Sequence, residues 1–91
     1  MPNELATLRK QIKSIDVDII KRIAKRFSLV KEVGKFKKKH ALPINDLTQE
    51  KSLIDYYKKI LIQYNLPEQA VLKLFKQVIS LSKNIQKNVR K

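Results

Sequence analysis

The apolar residues Leu5, Leu8, Ile12, Ile15, Ile19 and Ile23 are separated by threes and fours, and Val30, Val33 and Phe36 carry the stripe onward. That is the period of an α-helix and not the alternation of a strand. After Pro2 no proline interrupts the stretch, and Gly34 is its one glycine. The spacing predicts a single helix over residues 5–39, roughly 50 Å long at about 1.5 Å per residue. Lys37, Lys38 and Lys39 suit its C-terminus, where the helix dipole favours cations.

Residues 40–46 read as a loop, because a residue before proline disfavours helix and Leu42 precedes Pro43. Asp46 is placed to cap a second helix, predicted over 47–64 from Leu53, Ile54, Tyr57, Ile60, Leu61 and Tyr64. Tyr56, Tyr57 and Tyr64 follow the core-side pattern of this helix and are assigned no chemistry. Pro67 suits the first turn of a third helix, predicted over 67–88 from Val71, Leu74, Phe75, Val78, Ile79, Leu81 and Ile85. The final residues 87–91 are expected to fray.

The reading is therefore all-α, one domain over 1–91, with one long helix and two shorter ones. Two short helices cannot cover the stripe of a helix twice their length. A two-fold dimer with the long helices packed together is the simplest remedy. A long-armed monomer bound to another protein is the alternative.

Composition removes whole classes of chemistry. With no Cys and one His, a Cys-based zinc site, a disulfide frame and a thiol nucleophile cannot be built. One Gly cannot form a glycine-rich phosphate loop. No metal set or redox group is apparent among the residues. The apolar runs are too short for a membrane span, and no apolar signal core is seen, so a soluble cytoplasmic protein is the expectation. The net charge of +13 is uneven: residues 1–39 carry +8, residues 40–64 are neutral and residues 65–91 carry +5. Such a chain suits either a polyanion or a small anionic substrate, or is simply well solvated.

Polar residues that share an apolar stripe are more informative, because a buried charge is costly unless paired. Arg26, Val30, Val33 and Lys37 are spaced 4, 3, 4 and lie on one face. The two cations are roughly 16 Å apart along the axis. They either snorkel from the stripe's edge or reach into a site. Ser82 follows Phe75 and Ile79, with Gln86 one turn further on. Ser82 either bonds back to a helix carbonyl or faces a ligand, and Gln86 is either a rim residue or a site residue. Glu50 is a first-turn acid on the core side of the second helix. Arg9 is about 25 Å along the helix from Arg26, so one small ligand cannot touch both from one chain. An antiparallel dimer could bring Arg9 of one copy near Arg26 of the other. Together these residues describe a helical cavity for a small dianion bearing a hydroxyl, able to position and to stabilise charge.

The ordered set Leu8 and Arg9, Ile15 and Asp16, Ala24 to Arg26, Val33 to Lys37, Leu42 to Asp46, Gln49 and Glu50, then Ser82 and Gln86 resembles the all-helical chorismate mutases over nearly the full length. The resemblance implies an intertwined homodimer with two shared sites. It implies cofactor-free rearrangement of chorismate to prephenate, on the way to phenylalanine and tyrosine, with no nucleic acid or membrane partner. By resemblance, Arg9 reaches the partner's site and Arg26 acts in its own, each holding a substrate carboxylate. Lys37 and Gln86 would bond the ether oxygen, Asp46 and Glu50 the hydroxyl side, and Ser82 would assist a carboxylate. Gln49 stands where the family usually has Arg, which removes a charge and a guanidinium fork from substrate binding.

Three other readings fit the same residues. An isochorismate pyruvate-lyase would look similar and use a similar cationic pocket. A basic nucleic-acid-binding module would show strong salt dependence, but the chain offers few aromatics as a stacking platform. A non-catalytic regulatory relative is suggested by Gln49. His40 reads as a solvated loop residue, and Gly34 as a packing residue within its helix.

Overall fold

A computed structural model of the chain describes residues 3–90. Three helices account for nearly all of them: α1 (Glu4–Lys39), α2 (Leu47–Gln63) and α3 (Glu68–Arg90). No strand occurs among the described residues. The third helix runs past the expected end, through Arg90, so fraying is not seen over 87–90; Lys91 lies outside the described residues. Two contacts hold that end down. Arg90 donates a hydrogen bond to the Leu42 carbonyl, and Lys38 Nζ donates to the Val89 carbonyl at 3.5 Å.

The helix ends are specified locally. Asn3 caps α1 by accepting from the Ala6 amide at 3.1 Å. Asp46 caps α2 by accepting from the Gln49 amide at 3.0 Å. Both α1 and α2 then stop in the same way. The Leu42 amide bonds the Lys37 carbonyl at 2.8 Å and the Ala41 amide bonds Lys38 at 3.3 Å. The Leu66 amide bonds the Leu61 carbonyl at 2.9 Å and the Asn65 amide bonds Ile62 at 3.0 Å. These are Schellman pairings, and they require a left-handed residue, here Ala41 at φ 52° and Asn65 at φ 54°. A proline follows each motif two residues on and prevents the helix from resuming.

Packing is centred on α3, against which α1 and α2 both lie, while α1 and α2 make no packing of their own. The result is elongated, 62 × 27 × 15 Å. Leu61 and Leu72 are the buried large apolar side chains, and Tyr57 stacks on Phe75 with ring centroids 5.0 Å apart. Tyr56 and Tyr64, expected on the core side, are instead exposed. With α3 as its one neighbour, α2 buries a narrow stripe, and these two rings fall outside it. The N-terminal half of α1 meets neither helix. Leu5, Leu8, Ile12, Ile15 and Ile19 are each more than half exposed.

Candidate active site

The C-terminal half of α1, the loop to α2, the start of α2 and the last turns of α3 line a half-open cavity of about 220 Å³. That is below the roughly 300–1,000 Å³ of pockets for drug-sized ligands, so its occupant is small. Arg26 and Lys37 enter from α1, with Val30 and Val33 between them. The pattern 26, 30, 33, 37 therefore lines the cavity, with Arg26, Val30 and Lys37 half-buried and Val33 at its exposed edge. Asp46, Gln49 and Glu50 line it from the cap and first turn of α2, and Ser82 and Gln86 from α3. Seven of the eight residues singled out in the sequence are thus brought together. Arg9 is not. It lies on the exposed N-terminal half of α1, far from this cavity in its own chain.

Ser82 and Gln86 are buried, at 6% and 8% exposure. They reach that depth because α1 and α3 cross closely at Gly34: a Cβ there would lie 3.2 Å from the Gln86 Cα. Gly34 is thus a packing residue that admits Gln86. The Gln86 Oε1 atom is buried and has no hydrogen-bond partner. An orphaned buried amide oxygen costs about 1–3 kcal/mol, a cost a protein core rarely carries without reason. Rotation of the amide exchanges its oxygen and nitrogen, so this side chain can offer a ligand either a donor or an acceptor.

The two cations are oriented by neighbours. Lys37 Nζ donates to the Ile44 carbonyl at 2.9 Å, which leaves two of its three N–H groups for the cavity. Arg26 donates to the Ser82 hydroxyl. Ser82 in turn donates to the Val78 carbonyl at 2.7 Å. The serine does bond back to its own helix, as one of the two readings had it. Its one proton is spent there, so its influence on a ligand runs through Arg26, whose remaining N–H donors are free to fork onto a carboxylate.

One lining residue escaped the sequence analysis. Lys83 Nζ lies 2.6 Å from a Glu50 carboxylate oxygen. Glu50, Lys83 and Ile79 also line a larger groove between α2 and α3, so the ion pair stands between the two spaces. Helical spacing carried the signal: Lys83 is four residues beyond Ile79 and three before Gln86, on the face those residues define. His40 caps α1 and packs on Phe36, ring centroids 4.2 Å apart, away from the cavity lining.

Residues 8–87 match the family model for chorismate mutase type II. The chain is 39% identical over 87 residues to the chorismate mutase of Methanocaldococcus jannaschii, covering 96% of this chain and 88% of that protein. It is 32% identical over 87 residues to the bifunctional chorismate mutase/prephenate dehydratase of Buchnera aphidicola subsp. Schizaphis graminum, covering 96% of this chain but 23% of that longer protein. A bifunctional chorismate mutase/prephenate dehydratase of Aquifex aeolicus is 27% identical over 90 residues, again with 96% of this chain covered and 25% of the relative. A match of this extent favours a small-molecule enzyme over a nucleic-acid-binding module. The chain belongs to the chorismate mutase type II family.

Proposed function

We propose that this chain catalyses the rearrangement of chorismate to prephenate, using positioned cations and no cofactor. One observation carries most of the weight: Arg26, Lys37 and the orphaned amide of Gln86 converge on one small cavity. The reaction is unimolecular. An ether C–O bond breaks as a C–C bond forms within the same molecule, so no nucleophile or external proton is required. Negative charge grows on the ether oxygen as the C–O bond lengthens. Lys37 and the Gln86 amide, donating to that oxygen, stabilise the transition state more than the ground state. Arg26, held by Ser82, grips one carboxylate and holds the flexible substrate in its compact reactive form. Glu50 and Asp46 receive the hydroxyl side.

The second carboxylate needs a second cation. Arg9 is the candidate, supplied by another copy of the chain. Support comes from the stripe of Leu5, Leu8, Ile12, Ile15 and Ile19, which is exposed in one chain and continuous with Arg9 along α1. Contiguous apolar surface of this kind calls for cover. A homodimer with paired long helices would bury it and carry each Arg9 to the other chain's cavity. No helix among the described residues is long and apolar enough to cross a membrane. A cytoplasmic enzyme is the reading we adopt.

Incubation of the purified chain with chorismate tests this directly. Chorismate loss matched by prephenate formation is expected. Pyruvate release from isochorismate with no prephenate from chorismate would assign the cavity to a lyase instead.

A further inference from the structure

We infer that Lys83 is a positioning residue for substrate affinity, acting through Glu50; the inference rests on the proposed activity at the same cavity. The charged residues that line the cavity are Arg26, Lys37 and Lys83 against Asp46 and Glu50. One chain thus presents a net charge of +1, and Arg9 from a second copy would raise it to +2, matching a dianion. Without Lys83 the single-chain lining would be neutral. Gln49, beside Glu50 on the same wall, brings no charge. Among the described residues, Lys83 is the cation seen to pair with the α2 wall, through Glu50.

The geometry supports a role through Glu50 rather than a grip on the substrate itself. Lys83 Nζ sits 2.6 Å from the Glu50 carboxylate, with the two side chains 28% and 26% exposed. Both lie at the partition between the cavity and the α2–α3 groove. In that partly dehydrated setting, an unpaired Glu50 would repel an incoming dianion and would be free to swing away from the position where it can accept the substrate hydroxyl. Paired with Lys83, it is neutralised and fixed. The pair also joins the first turn of α2 to α3 beside the cavity, so it sets the spacing of that wall.

A double-mutant cycle on the intact chain tests this. In Lys83→Met, KM for chorismate should rise on the order of tenfold or more, with a smaller change in kcat and a melting temperature close to that of the parent. Lys83→Arg should keep KM near the parent value. Gln49→Arg places a cation beside Glu50 from α2. It should recover most of the lost affinity in the Lys83→Met background and gain much less in the parent, because the two cations serve one function. If Lys83→Met is poorly folded, Lys83→Gln carries the same comparison. A KM within twofold of the parent for the Lys83 variants, or an equal gain from Gln49→Arg in both backgrounds, would overturn the inference. Failure of the parent chain itself to convert chorismate would instead overturn the proposed activity, so the two failures are distinguishable.

Discussion

Gly34 and Gln86 meet so closely that a single methyl group on Gly34 would sit 3.2 Å from the Gln86 Cα. The contact sets where α3 crosses α1, and with it how deep the Gln86 amide lies. Gly34→Ala gains about 1 kcal/mol in helix propensity but forces backbone apart, at a cost of typically 1–3 kcal/mol. The expected net effect is a destabilisation of about 0–2 kcal/mol, a melting temperature lowered by roughly 0–15 °C. The rate also suffers, because Gln86 moves by a few tenths of an ångström relative to Lys37. A fall in kcat of about tenfold at a temperature where the variant is folded is the expected outcome of steady-state kinetics.

Gln86→Leu separates stability from function. The parent carries a buried amide oxygen with no partner. Replacing the amide with an apolar group of similar size removes that penalty, so urea unfolding should show stability unchanged or raised by about 1 kcal/mol. The same change removes a donor to the ether oxygen, and kcat should fall by on the order of a hundredfold. A variant that is more stable and nearly inactive is the signature of a residue kept for catalysis.

Lys37→Ala should cost on the order of 10²–10³-fold in kcat/KM, mostly in kcat, since its charge acts on the oxygen where charge develops. Chorismate kinetics on the purified variant reads this. Retention of near-parent rates would remove Lys37 from the catalytic role.

How far the residues disclosed this arrangement beforehand differs between fold and site. The helices were legible because the apolar spacing of α1 admits no other period and because Asp46, Pro43 and Pro67 mark the breaks. The inward face of Arg26 and Lys37 was legible as a pattern but not as a fact, since a long cation at a stripe's edge can equally snorkel. The depth of Gln86 could not be read from spacing. It depends on Gly34 lying opposite, a relation between residues 52 apart in sequence. Lys83 was passed over because a lysine among many lysines reads as solvated surface until Glu50 is seen to face it. Tyr56 and Tyr64 misled for the opposite reason: spacing marks a face, whereas burial needs a neighbour on that face.

Ala41 occupies a left-handed conformation at φ 52°, which suits Gly better than Ala. A left-handed residue with a Cβ costs about 1–2 kcal/mol, partly offset by the about 0.5–1 kcal/mol that Gly loses in chain entropy. Ala41→Gly should therefore stabilise the protein by about 0.5–1 kcal/mol, seen as a rise of several degrees in melting temperature. Ala41 is exposed and does not line the cavity, so kcat should be nearly unchanged.

We propose an active site that takes Arg26 from one chain and Arg9 from another. Arg9→Ala and Arg26→Ala variants, mixed in denaturant and refolded together, test it most directly. Each alone should be nearly inactive towards chorismate. In a mixed dimer one site carries both substitutions and the other carries neither, so an equimolar mixture should recover about a quarter of parental activity. A refolded mixture no more active than its separate components would rule out a site shared between chains.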